Sequence, residues 1–185
     1  MFKKFDTKES ITGQTQAKSS VQKSIRAKIV EAYPKIEPYM DEIIPKKSPL
    51  VIVKCQDRIQ LLCIDNVPLF FNHFDGQWMP TLRLLHKYPF MMPYLQVDRG
   101  AIKFILSSAH IMCPGLTSAG AWMPPAGEGL PTETPVAIFA EGKTLPLAIG
   151  VLKMSTDEIR KINKNVGVET MHHLNDGLWK TLSLH

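Results

Sequence analysis

Cysteine is scarce in this 185-residue chain: Cys55, Cys63 and Cys113 cannot all pair, which argues against a disulfide framework and for a reducing setting. No C-x-x-C is present, and no apolar run approaches the ~18 residues that a membrane span needs. The first residues, Met1-Phe-Lys-Lys-Phe-Asp6, are charged at once and no apolar stretch follows, so a secretory signal is not expected. Internal repeats and coiled-coil heptads are absent as well. These absences lead to the expectation of a cytoplasmic protein without a membrane segment.

What is present is ordinary in amount and uneven in placement. Hydrophobic residues make up 44% and charged residues 21%, enough for one large or two small globular domains. The formal net charge is +5. Residues 1–54 hold eleven Lys/Arg against six Asp/Glu, while the other 131 residues hold eleven of each. A basic excess favours an anionic partner, and here it sits in the N-terminal part.

Residues 18–33 carry Val21, Ile25, Ile29 and Tyr33 four apart, which predicts a helix with one apolar face, ended by Pro34. A shorter helix is expected from Pro38 to before Pro45, with Met40, Ile43 and Ile44 inward. Three β-branched and aromatic runs at 50–55, 58–64 and 67–74, separated by turn residues, predict an antiparallel meander. "PTLRLLHKYP" (80–89) predicts a helix starting at Pro80, with Leu82 and Leu85 inward and Arg83 and Lys87 exposed together. Two prolines in 88–96 mark a domain junction that breaks any regular element. Beyond an irregular Pro- and Gly-rich stretch at 112–135, strands are expected at 136–141 and 145–154 around a Gly142-Lys143 turn. A capping-box helix at 155–163 (Ser155, Glu158) and a last strand at 166–176 follow.

Several motifs invite chemistry. "AIFAEGKT" resembles the end of a phosphate-binding loop, but Ala137 stands where the first glycine is required and a strand reads on from Thr144, so a hairpin turn is expected. His172 and His173, adjacent on a strand, point to opposite faces, and no metal site is expected. Cys113 and His110 could act as nucleophile and base. Cys113, however, lies between Met112 and Pro114, an apolar setting that makes a thiol inert, and core packing is the expectation. Lys3-Lys4, Lys46-Lys47 and Arg83 with Lys87 are candidates for nucleic-acid contact if the fold gathers them, and solvated charge otherwise.

The stretch "VDRGAIKFILSSAHIMCPG" (97–115) predicts a helix capped by Asp98, with Val97 and Ile102 at staple spacing and Ile102, Ile105, Leu106 and Ala109 as its core stripe. Arg99, Lys103 and Ser107 form a polar stripe. Two cations beside free N–H groups, with Gly100 leaving the backbone open, suit a phosphate or carboxylate; a solvated helix end is the alternative. Phe104 falls off the core stripe with Ala101 and Ser108 beside it, so it either docks a partner or is covered by another part of the chain.

The same residues carry a resemblance. "VDRGAIKFILSSAHIMCPGLTSAGA", "VAIFAEGKTLPLAIGVLKMS" and "HHLNDGLW" look like a PUA domain, the small RNA-binding fold named after pseudouridine synthases and archaeosine transglycosylases. In the first half, "MFKKFD", "IIPKKSP", "LFF" and above all "PTLRLLHKYPF" are similar to the malignant T-cell-amplified sequence family, and the similarity spans nearly the whole chain. The resemblance implies an α+β chain: a small mixed α/β pre-PUA domain over 1–92, then a PUA pseudobarrel of mostly β-strands with short helices over 93–185. It implies no catalysis and no cofactor. It implies a translation factor that works on small ribosomal subunit rRNA as a heterodimer with density-regulated protein, in reinitiation and in tRNA release during recycling. The tRNA acceptor end is a further candidate contact, and the related factor ligatin carries equivalent modules in one chain.

By resemblance, the RNA-facing elements include the Gly100-Ala101 helix start, Lys143 and Lys153. Together with Arg99, Lys103, Arg83, Lys87, Lys46 and Lys47 these make the candidate RNA contacts; Phe104, Ala101 and Ser108 make the candidate partner contacts. A protein-interaction adaptor whose PUA fold does not bind RNA is the alternative. The chain departs from the family at Ser108-Ala109-His110, where Gly-Ala-Asn is usual, at Ser118, which no proline follows, and in the loop 121–135. The Gly-Arg-x-Asp signature of a pseudouridine synthase is absent.

Overall fold

Short turns between β-branched runs let consecutive strands pair, and the first half of the computed structural model, which describes residues 1–185, is built that way. Helix α1 (Thr7–Ser10) and strand β1 (Ile11–Gln16) lead into α2 (Ser19–Ala32), a 3-10 segment at Pro34–Tyr39 and α3 (Met40–Ile43). Strands β2 (Val51–Cys55), β3 (Ile59–Ile64), β4 (Val67–His73) and β5 (Met79–Pro80) follow, then α4 (Leu82–Lys87). The sheet order is β1-β2-β3-β4-β5 and every pair is antiparallel. Asp65 and Asn66, both at positive φ (50° and 63°), make the tight β3–β4 turn, a conformation that Asx residues tolerate.

Three details differ from the sequence reading. Strand β1 is polar and mostly exposed, so no apolar alternation marks it; pairing with β2 (Gln14↔Val53, Thr15↔Ile52) holds it. Val21 is 40% exposed. The next residue, Gln22, is buried in its place and donates from Nε2 to the carbonyls of Pro45 (3.4 Å) and Ser48 (3.1 Å). Helix α4 starts two residues late, at Leu82: Pro80 pairs in β5, and the Thr81 hydroxyl caps the helix by accepting from Leu84 N at 3.2 Å.

The second half is strung differently. Strand β6 (Tyr94–Val97) begins within the stretch 88–96 expected to be irregular, just after Pro93, and runs one residue past it; a remote strand, β8, holds it by parallel pairing. After β6 come a 3-10 turn at Arg99–Ala101, α5 (Ile102–Ile105), β7 (Ile111–Met112), α6 (Pro114–Thr117), β8 (Pro135–Ala140) and β9 (Ala148–Leu152). Then come α7 (Thr156–Ile162), β10 (Val166–His173) and α8 (Gly177–Lys180). The order is β6-β8-β9-β10-β7, and the sheet curls into a half-barrel over a core that includes Leu95, Val97, Ile105, Ile138, Leu152 and Val168. The capping box is complete: Ser155 Oγ accepts from Glu158 N (3.1 Å) and Glu158 Oε1 from Ser155 N (3.4 Å). The turn falls one residue earlier than expected, on Glu141 and Gly142, closed by Lys143 N donating to the Ala140 carbonyl (3.0 Å), and β9 begins only at Ala148. At Gly150 a Cβ would press on Val168 and lie 2.7 Å from the Glu169 carbonyl oxygen, so β9 can approach β10 only with glycine there.

The chain divides into two compact units, Phe5–Met91 with Lys180–His185, and Met92–Trp179 with Met1–Lys4. The two chain ends are thus exchanged between the units. Phe2 is fully buried in the second unit, where its carbonyl accepts from Gly177 N (2.8 Å) and its ring stands edge-on to His172. At the other end, Leu184 N donates to the Asn66 carbonyl (2.9 Å) in the first unit.

Candidate functional site

Asp98 caps the turn that carries Arg99 and Gly100. Its Oδ1 accepts from Ala101 N (3.2 Å) and its Oδ2 from Ser118 Oγ (2.5 Å). Arg99 donates from its backbone N to Glu141 Oε1 and from Nε to the Glu141 carbonyl, each at 3.4 Å, and its guanidinium lies against Gly142. Arg99, Gly100 and the exposed Lys143 are therefore brought to one turn-against-turn contact.

The helix expected over 98–109 is much shorter. A single 3-10 turn and the four residues of α5 are all that form, because Ser108 takes a left-handed φ of 70° and its Oγ meets His173 Nε2 at 2.6 Å. So short a helix sums little macrodipole, and the N–H groups of Arg99 and Ala101 are satisfied by the chain's own carboxylates, Glu141 and Asp98. With those N–H groups taken, any anion contact at this turn falls to the side chains of Arg99 and Lys103. Leu106, assigned to the core stripe, is exposed, while Ala101 and Ile102 pack on the core.

The other candidate cations separate. Lys153 Nζ lies 3.2 Å from Glu133 and 3.1 Å from Glu169, and the Glu169 hydrogen bond leads in pushing its pKa up; it is a neutralised cation rather than an open one. Lys103 places its ammonium 5.1 Å from the Phe104 ring centre. Arg83, Lys87, Lys46 and Lys47 belong to the other unit, where Lys46 lines a hollow of about 460 Å³ with Ser19, Ser20, Lys23 and Arg26.

Phe104, 58% exposed, walls a groove of about 760 Å³ together with Ala101, Ile105, Ile111, Met112 and Pro114. Most of this wall is apolar, the character of a surface that another protein covers. Ser108 is not part of the wall, since its hydroxyl is engaged with His173; of the three partner candidates, Phe104 and Ala101 share the groove.

Cys113 and His110 are not assembled into a pair. Cys113 is fully buried, burial pushes its pKa up, and its thiol faces Met154 Sδ at 3.9 Å. His110 Nδ1 accepts from Thr170 N instead (3.1 Å). Burial also pushes Cys55 up to about 11 and Cys63 up to about 12, the range of an unreactive thiol. His172 and His173 are both buried, with His172 Nδ1 2.7 Å from Asp176 Oδ2. Sequence reasoning passed over one exposed pair: Tyr94 and Trp122 stack at 4.9 Å and 18°. Period-2 alternation in "YLQV" puts Tyr94 outward, but only the reciprocal 2.9 Å backbone bonds between Gln96 and Trp122 bring the second ring.

Comparison with known proteins fits this layout. Residues 5–89 match the Pre-PUA-like domain family and residues 93–174 the PUA domain family. The Malignant T-cell-amplified sequence 1 homolog of Drosophila melanogaster is 57% identical over 182 residues, covering 98% of each chain. The chain belongs to the malignant T-cell-amplified sequence family. Malignant T-cell-amplified sequence 2 of Homo sapiens is 53% identical over 179 residues, and Translation machinery-associated protein 20 of Eremothecium gossypii 54% over 179 residues, each covering 97% of both chains. Among solved structures, a hypothetical protein from Pyrococcus horikoshii superposes with a TM-score of 0.73 at 21% identity, covering 92% of this chain and 100% of that one. A PUA domain from Aeropyrum pernix gives 0.68 at 21% identity, covering 93% and 92%. At such identities they show the fold alone. In this malignant T-cell-amplified family chain the Phe104 groove falls within the PUA match, and Lys46-Lys47 within the Pre-PUA-like match.

Proposed function

We propose that this chain is a non-catalytic, cytoplasmic translation factor that works on the small ribosomal subunit as a heterodimer with density-regulated protein, promoting reinitiation and release of deacylated tRNA after termination. The observation that carries the reading is the end-to-end family match, which includes a relative named for association with the translation machinery at 54% identity. The PUA match supports RNA contact, with Arg99, Lys103 and Lys143 in one unit and Arg83, Lys87, Lys46 and Lys47 in the other as the cations available for it. The tRNA acceptor end is a further candidate ligand. The apolar groove beside Phe104 supports a protein partner, because a well-placed exposed aromatic is the usual anchor of such an interface.

One observation favours a second reading, an adaptor that reaches the ribosome only through its partner. The unit that contains the PUA match holds nine Lys/Arg against eight Asp/Glu, little excess for a phosphate backbone. Co-sedimentation with purified small subunits over a range of salt, with and without density-regulated protein, separates the two. Direct RNA contact predicts a steep fall with salt, and joint Arg99→Glu and Lys103→Glu substitution should weaken binding by about tenfold. Binding that ignores both changes, yet needs the partner, establishes the adaptor. Phe104→Asp should abolish capture of density-regulated protein while circular dichroism stays native; retained capture removes Phe104 from the interface.

A further inference from the structure

Helix α4 ends at Lys87, and the chain then turns back on itself: Met91 N donates to the Tyr88 carbonyl at 3.1 Å across Pro89 and Phe90. A proline at the second position of such a turn presets its φ, and the buried Met91 anchors the far side. Phe90 is thereby held at the tip of a tight turn, where it is 44% exposed.

A single exposed phenylalanine is unremarkable, but this one is backed by two more rings. Tyr39 lies 5.5 Å from Phe90 with the rings tilted by 54°, Tyr88 lies 6.3 Å away and edge-on at 85°, and the two tyrosines meet at 5.3 Å. The Tyr88 hydroxyl is fixed in turn by donating to Glu42 Oε2 at 3.0 Å. Neither tyrosine lies flat on Phe90, so one face of its ring stays open to solvent. Other exposed aromatics have a face occupied. Arg58 stands 5.0 Å over Phe74, Lys103 stands 5.1 Å over Phe104, and Tyr94 and Trp122 stack on each other.

The neighbourhood is polar. Arg83 and Lys87, both exposed, are four apart on α4, and Lys87 precedes Phe90 by three residues. The one carboxylate bonded to the ring cluster, Glu42, repels a phosphate from the ring but not an uncharged base. Phe104, by contrast, is walled by apolar residues, the setting of an anchor for another protein. An open aromatic face beside cations suits a nucleobase, which stacks on the ring while its backbone phosphates meet the cations. A base inside a duplex has no free face to offer, so the ligand must be unpaired.

We propose that Phe90 is a base-stacking residue: an unpaired base of RNA lies on its open face, and Lys87 and Arg83 meet the adjacent phosphates. The proposal rests on the RNA-contact reading above and adds to it a contact that the cations cannot make.

The test is co-sedimentation of the full-length protein with purified small subunits over a range of salt, with a short unstructured RNA as second probe in a fluorescence titration. Phe90→Ala should weaken binding of both by about tenfold at every salt concentration. It should leave the slope of log affinity against log salt unchanged, because stacking releases no counterions. Lys87→Ala should instead reduce that slope by about one. Phe90→Leu keeps an apolar side chain but has no π-face, and should bind as poorly as Phe90→Ala. Phe90→Trp should bind like the wild type, and the RNA should quench its emission saturably, beyond the change seen in the wild type; it carries the test if the smaller side chains misfold. Three results overturn the proposal alone: a folded Phe90→Ala that binds as before, Phe90→Leu that keeps wild-type affinity, or Phe90→Trp emission that RNA does not move. Loss of density-regulated protein capture in Phe90→Ala, with RNA binding intact, assigns the ring to a protein interface and overturns it as well. Wild-type protein that binds neither probe overturns the RNA-contact reading together with the proposal.

Discussion

The two five-stranded sheets are assembled by different rules. In the first, strands adjacent in the chain are adjacent in space, and every joint but the β1–β2 connection, which carries α2 and α3, is a turn of a few residues. In the second, β6 and β7 follow one another in the chain yet lie at opposite edges, and Tyr94 of β6 pairs with Ala137 of β8. The first sheet, its polar edge strand β1 apart, is therefore specified strand by strand, through side-chain burial. The second depends on remote joints, the space kept free at Gly150 and the Ser108–His173 contact, and on a local one, the carboxylate of Asp176 that closes the end of β10. Loop-closure entropy makes such remote pairing the slower to form.

Mutations can break or sharpen that contrast. The largest effect is expected at the centre of the first sheet, where Leu61→Ala, at a fully buried position of β3, should cost about 2–5 kcal/mol in denaturant unfolding. Asp176→Ala comes next. Its carboxylate accepts from His173 N (2.9 Å) and Trp179 N (2.8 Å) and faces His172 Nδ1, so truncation orphans buried donors at a cost of about 3 kcal/mol. That loss, from a side chain contributing almost no apolar area, would show that a joint rather than burial holds the second sheet.

This joint also sets an acid dependence. Burial holds His172 below its ordinary value of 6.5; for Asp176 burial acts upward, but the hydrogen bonds from His172, Trp179 and His173 outweigh it and leave the pKa below 3.8. Both groups bind fewer protons folded than unfolded. The His172 contribution is whole above pH 6.5 and declines as pH falls below it, and the Asp176 contribution is lost as pH falls through and below 3.8. Thermal melts from pH 7 downward should show stability falling in that order, and Asp176→Ala should flatten the acid end. The smallest effect is expected for Gly150→Ala, about 1–3 kcal/mol from crowding of Val168 and the Glu169 backbone. A neutral result there would mean that β9 and β10 can slide apart, and that this joint is looser than the spacing implies.

The same contrast governs what could be read in the sequence. The β2–β4 meander, helix α2 and the Ser155–Glu158 capping box were legible because neighbouring residues decide them. The polar edge strand β1 and the parallel strand β6 were not, since their identity comes from a partner strand elsewhere in the chain. Helix α5 was overextended because Ser108 is turned by a histidine 65 residues later. At the candidate site, the place of Phe104 off the core stripe followed from helical periodicity, whereas its exposure and the neutralisation of Lys153 by Glu133 and Glu169 required the folded chain. The buried Asn72 Oδ1, left without a hydrogen-bond partner, has no sequence signature at all, being defined by what fails to approach it.

The exchanged ends have a practical side. With Met1–Lys4 grouped with the second unit and Lys180–His185 with the first, each unit is a discontinuous piece of chain. Cleavage between Met91 and Met92 would release two fragments, each missing a strip that its own interior uses: one without the Leu184–Asn66 bond, the other without the buried Phe2 ring. An affinity tag fused ahead of Met1 would thus report on, and disturb, the PUA half of the molecule rather than the half whose sequence it precedes.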